Sequence, residues 1–247
     1  VRIGQSKVPY GFENMQSSQN RLTLDRNDGL NSAVANERDL GVFFMWAPSE
    51  IRKRFADLVS EGYKGSGDYG VFAFGAYNGQ TANKSEANRN LHVVARVTYP
   101  FVIGNQIIEP GLQAYTGKWA FTNEISTGVT TPLDKEYVVD QRVAATFVLY
   151  PKPFGIQTEY NIGKGPRYDK TTNSIQSDDL QGGYVTLNYK WNLPKHHLLY
   201  PFAKFQYYDG GKKFEKDSRS YIVRDYEFGL EWQPLKAFEL VAEWVVS

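Results

Sequence analysis

Residues 137–164 read YVVDQRVAATFVLYPKPFGIQTEYNIGK. In the second half Phe154, Ile156, Thr158, Tyr160 and Ile162 alternate with Gly155, Gln157, Glu159, Asn161 and Gly163. That period of two predicts a strand with one apolar and one polar face. The first half repeats it: Val139, Val143, Ala145, Phe147 and Leu149, interrupted by Gln141, share one face, and Asp140, Arg142, Ala144 and Thr146 the other. Only Pro151, Lys152 and Pro153 separate the halves, so an antiparallel hairpin is expected. Each arm has ten residues or more, where strands of soluble sheets average about five or six and a strand crossing a bilayer obliquely needs about nine to eleven. Soluble and membrane barrels both alternate, so the rest of the chain has to decide between them.

The chain has 247 residues, 28 Lys and Arg against 27 Asp and Glu, and no Cys. The length suits one large all-β domain or part of one. A balanced charge gives no electrostatic case for nucleic acid as a partner, and without Cys there are neither disulfides nor thiolate zinc sites. Mean hydropathy is negative. The sequence contains no apolar run of the roughly 18 residues a membrane helix requires, a profile shared by outer-membrane barrels, where only alternate residues face lipid.

Alternation and turn residues place strands near 1–7, 38–47, 69–79, 91–102, 107–119, 136–150, 154–164, 181–192, 199–208, 220–233 and 238–246. From Leu91 onward the connections at 103–106, 151–153, 192–196 and 233–237 are short, and those at 120–135, 165–180 and 209–219 are longer and polar. Every second connection therefore falls on the same rim, the asymmetry of bacterial outer-membrane barrels rather than of Greek-key sandwiches. Tyr99, Phe101, Tyr150, Phe154, Trp191, Trp232 and Phe238 flank the short turns, where an interfacial aromatic girdle would sit. The fold class read from these patterns is all-β, an antiparallel transmembrane β-barrel, with about eleven strands in this stretch.

Two connections break the rhythm. Pro48 to Asp68 reads as a brief helix, with Ser49 as N-cap and Ile51, Phe55, Leu58 and Val59 on one face. Val8 to Glu37 shows no sustained period and is too long for a plain linker; in a barrel its natural place is the lumen.

No catalytic constellation is legible, so no enzyme activity, cofactor or metal is expected. His196 and His197 sit in a turn, and His92 is read as a rim or surface histidine with no metal-spaced partner. Gly65, Gly67 and Gly70 satisfy G-x-G-x-x-G, but a helix precedes them and a strand follows, the reverse of the phosphate-binding order. They are read as a turn. If the apolar parity faces lipid, the lumen wall carries Arg96, Arg142, Lys190 and Lys204, with Glu109, Asp140, Glu159, Asp225, Glu227, Glu231, Glu239 and Glu243. Bases dominate early and acids late, so a transverse field is expected across the pore.

RIGQSKVPYGFEN at 2–14, ERDLGV at 37–42, YNGQTAN at 77–83, EYNIGKGPRYD at 159–169 and EFGLEWQPLKAFELVAEW at 227–244, in this order and spacing, resemble the phosphate-selective porin O and P family. The resemblance runs the length of the chain. It implies a barrel of about sixteen strands in the bacterial outer membrane, usually a homotrimer, whose inward-folded loops and basic side chains pass anions such as phosphate. It also makes Lys7, Arg21, Arg26 and Arg38 the candidate anion-binding or constriction residues. The chain is expected to be a single β-barrel domain over 1–247, continued by strands before Val1 and after Ser247. The function expected is a water-filled channel for passive diffusion of small hydrophilic solutes or ions. The competing reading is a non-transporting outer-membrane barrel that serves as a structural or partner-binding scaffold through its long loops.

Overall fold

A computed structural model describes residues 1–85, 87–121, 125–131 and 137–247. Residues 122–124 and 132–135 of the connection expected at 120–135, and the first residue of the strand expected at 136–150, lie outside these residues.

The strands are β1 Arg2–Lys7, β2 Arg38–Trp46, β3 Phe72–Tyr77, β4 His92–Thr98, β5 Phe101–Ile103, β6 Gln106–Ala120, β7 Tyr137–Leu149, β8 Phe154–Asp169, β9 Ser174–Tyr189, β10 Trp191–Asn192, β11 Leu198–Gly211, β12 Ser220–Leu235 and β13 Phe238–Val246. Among the described residues they form one antiparallel sheet in chain order, with eleven strands on the main path. β5 pairs only with β6, and β10 only with β11. Chain-order pairing is that of an up-and-down meander, and β1 and β13 are its two edges.

The expected parity holds. Val143, Phe147, Phe154, Tyr160, Val185, Leu187, Phe205, Phe228, Leu230 and Leu240 are exposed, whereas Gln157, Glu159, Thr186, Lys204 and Glu227 are buried on the opposite face. Water-soluble packing would invert this, because exposed contiguous apolar surface is costly unless lipid or a partner covers it. Replacing Phe147, on the outward parity of β7, by Arg is expected to cost roughly 2–4 kcal/mol if that position lies near the bilayer midplane. That loss would appear as a lowered urea midpoint for protein folded into vesicles.

Several boundaries differ from the expectation. The strand expected at 91–102 is interrupted at Tyr99–Pro100, because Pro100 has no N–H to donate to the ladder. The connection expected at 165–180 is instead a continuation of β8 and β9, with only 170–173 left as a turn. There Gln176, Ser177, Asp178 and Asp179 are all exposed, so neither face is apolar and alternation gives no signal although pairing continues as far as Asp169 and Ser174. Tyr150 does not join the aromatic girdle. It is wholly buried, and its hydroxyl donates to Glu109. Trp46 and Tyr189 are exposed near the same rim and extend the girdle.

The helix before β3 is Ser49–Ser60, with Pro48 rather than Ser49 at the cap position and no side-chain cap bond. Ile51, Phe55 and Leu58 are buried as expected and pack with Phe12, Val148 and Tyr150. Two short helices, Phe12–Met15 and Asp28–Asn31, punctuate the segment 8–37. We refer to these three helices in chain order as α1 (Phe12–Met15), α2 (Asp28–Asn31) and α3 (Ser49–Ser60).

Candidate functional site: the segment on the inner face

The segment between β1 and β2 lies against the polar face of the sheet. Its apolar residues Val8, Tyr10, Leu30, Ala33 and Val34 pack with Phe43, Tyr77, Val94, Tyr115 and Ala144 from the wall. Leu22 reaches as far as Tyr200 and Phe202 on β11. Gly11, at φ +82°, makes the approach possible: a Cβ there would come within 2.4 Å of the Leu30 side chain.

Thirty residues of irregular backbone on a buried face need hydrogen-bond partners, and the charged side chains of the wall supply them. Arg142 on β7 donates from Nη1 to the Gly29 carbonyl at 2.8 Å and Ser32 Oγ at 2.7 Å, and from Nη2 to the Ser32 carbonyl at 2.9 Å. These carbonyls belong to α2 and its cap, a helix C-terminal end that favours a cation. Glu159 on β8 accepts the Phe12 amide at 2.7 Å, at the start of α1, where a carboxylate is favoured. Lys204 on β11 lies 3.1 Å from Glu13 and 3.5 Å from Glu227. It also donates to Thr23 Oγ1 and the Asp25 carbonyl, both at 3.2 Å. Gln206 accepts the Asp28 amide at 2.9 Å, and Glu243 on β13 accepts the Leu24 amide at 3.0 Å. The segment is thus tied to β7, β8, β11 and β13.

Several wall charges are therefore engaged with the segment or with one another rather than forming a free lining. Lys64, after α3, pairs with Glu231 on β12, and both are buried. Arg96 pairs with Glu109 at 3.4 Å. Two of the late acids, Glu231 and Glu227, pair with Lys64 and Lys204 through contacts that the linear order hides. Lys190 sits at the short-turn rim, its ammonium donating to the Glu61 carbonyl and lying 4.1 Å from the Tyr63 ring centre. Asp225 accepts from Gln206 at 2.9 Å, and Glu239, half-buried, lies on the inward parity of β13.

Three of the four candidate constriction residues come together. Lys7 donates to the carbonyls of Asn14 at 2.8 Å and Gln16 at 2.6 Å, and lies 3.1 Å from Glu37 Oε2. Arg21 reaches the other oxygen of Glu37 at 3.4 Å, and donates to the Thr23 and Leu24 carbonyls, both at 3.2 Å. Arg26 donates to Asn14 Oδ1 at 2.7 Å and to the Val34 carbonyl at 3.1 Å. Burial pulls the Arg26 guanidinium down, opposed by the charge of Glu37. Burial pushes Glu37 up, but Lys7, Arg26 and Arg21 outweigh it and hold the carboxyl below its ordinary range. Arg38 stands apart from the other three: it opens β2 with its side chain exposed on the parity of Leu40 and Val42. The exposed residues of the segment are Ser17, Ser18, Gln19, Leu24, Asp25 and Asn36, with Arg21 and Arg26 half-buried.

His92 is the clearest departure from the sequence reading. It is fully buried, not at the surface, with Nε2 3.2 Å from Asp140 and its ring against Tyr77 and Tyr115. A Cβ at Gly117 would fall 2.4 Å from that ring, so glycine is needed there. Asp140 also takes Lys213, which turns inward from the β11–β12 connection. Burial pulls the Lys213 ammonium down, and Asp140 opposes that shift. His92 shares the parity of Val94 and Arg96 on β4, and that parity was the signal for an inward position. Lys64 and Lys213 lie outside strands and carried no such signal.

An up-and-down sheet with an apolar outer face, a charged inner face and a long segment folded over that inner face is the wall of an outer-membrane porin barrel. The chain belongs to the phosphate-selective porin O and P family, whose profile matches residues 1–246; these are channels of the bacterial outer membrane. Comparisons with curated proteins and with solved structures give no match.

Proposed function

We propose that this porin is a passive diffusion channel for small hydrophilic solutes and ions, anions among them, and that the segment 8–37 forms its narrowing. The observation that carries this is the way wall residues Arg142, Glu159, Lys204 and Gln206 hold the segment's backbone against the inner face. In this reading β1 and β13, whose outer edges are unpaired among the described residues, are joined to further strands that close the wall, since an open edge in hydrocarbon leaves each backbone group unsatisfied at several kcal/mol.

Lys7, Arg21 and Arg26 gather around Glu37, with Glu13 and Asp25 also close enough to act on Arg26, and in this reading the three bases are the groups of the narrowing that face permeant anions. Reconstitution into planar bilayers tests the function. Stepwise conductance is expected, and its absence from a folded full-length protein would favour a scaffold role. In the same membranes, replacing Arg21 and Arg26 by Ala should move the reversal potential toward cations. A unit charge at about 4 Å in water is worth about 1 kcal/mol, so a change in permeability ratio of about fivefold per charge is expected. Salt will reduce it.

A further inference from the structure

We infer that Glu37 is the resident counter-ion of the cationic cluster in the segment, occupying the position a solute oxyanion would otherwise take, and so sets the channel's preference among anions. The inference rests on the porin reading above. Both carboxylate oxygens are engaged, one by Lys7 and the other by Arg21. These are charge-assisted contacts of the type by which a phosphate or carboxylate solute would be held.

Backbone geometry fixes the carboxylate there. Asn36 and Glu37 are consecutive left-handed residues, at φ +54° and +62°. That conformation is uncommon outside glycine and is kept only where surrounding contacts determine it. The Glu37 carbonyl accepts the Val8 amide and the Asn14 side chain, both at 3.2 Å, which ties the end of the segment to its beginning. With Glu37 in place all three donors of Lys7 are engaged, and so are three of the five N–H groups of Arg21, two of them on carbonyls of the segment itself. An incoming oxyanion therefore finds the Lys7 ammonium saturated and must displace Glu37 to be held by Lys7 and Arg21 together. The cluster acts on permeant ions through its field rather than by binding.

Glu37→Gln keeps the shape of the side chain and removes its charge, leaving Lys7 and Arg21 without a counter-ion. Titrating the detergent-solubilised full-length protein with inorganic phosphate should give binding at least about tenfold tighter in Glu37→Gln than in wild type, the worth of one charge-assisted contact. The double variant Glu37→Gln, Arg21→Gln should return most of the way to wild type. Equal phosphate affinity in wild type and Glu37→Gln would overturn the inference. If Glu37→Gln does not fold, the wild type decides: a saturable phosphate site that Arg21→Ala abolishes overturns the proposal, and affinity that Arg21→Ala leaves unchanged supports it. Because binding is read without a membrane, a failure here is separate from an absence of conductance, which would instead remove the porin function.

Discussion

Replacing Arg142 by Met should release the segment from β7 while leaving the sheet intact. The substitution removes three donors, and leaves the carbonyls of Gly29 and Ser32 and the hydroxyl of Ser32 facing an apolar thioether. Hydrogen bonds to a charged group contribute about 1.5–3 kcal/mol each, and since neighbouring losses are not additive a total of about 4 kcal/mol is expected. The barrel's own ladder bonds are untouched: Arg142 remains in register with Tyr115 and Gly163. The variant should therefore migrate as a folded barrel on unheated gels, be cut by protease within residues 8–37, and show larger and noisier single-channel steps. Conductance and protease resistance equal to wild type would mean that the Arg142 contacts do not hold the segment.

Lys204→Met is expected to act from β11, three strands along the sheet, and by a different mechanism. Lys204 is the cation between Glu13, on the segment, and Glu227, on β12. Its removal leaves two carboxylates enclosed without a counter-charge, and breaking a buried pair in this way costs about 3–5 kcal/mol. Replacing Lys204, Glu13 and Glu227 together by Met, Gln and Gln should recover much of that loss, because the charges leave together. A urea unfolding series on the single and triple variants measures this. A single variant as stable as wild type would show that water reaches the site and that the charges are solvated.

The wall was legible in the sequence because lipid enforces alternation as strictly as a core does, with the apolar side turned outward. Phe147, Tyr160, Leu187 and Phe228 could therefore be placed before any contact was known. Legibility failed where neither face is apolar, as at Gln176 to Asp179, and at Tyr150, just past β7, which its residue type assigns to the rim although it continues the inward parity of Thr146 and Val148. The site was less legible than the fold. Residue types picked out Lys7, Arg21, Arg26, Arg142 and Lys204, but their partners are remote in sequence: Arg142 meets residues 110 and 113 positions away, and Lys64 meets Glu231 across 167. Periodicity carries no information at such separations. The sign of a charge along the chain says nothing of which charges pair, as Glu231 does with Lys64 and Glu227 with Lys204.

The absence of Cys from the chain makes a direct test of the narrowing available. Ser18 is an exposed residue of the segment, and the sequence offers no competing thiol. In planar bilayers, Ser18→Cys channels treated with a negatively charged methanethiosulfonate should lose conductance stepwise and shift their reversal potential toward cations, with recovery on reduction. Complete modification with unchanged conductance and unchanged reversal potential would contradict the account, because it would place the permeation path away from the segment 8–37.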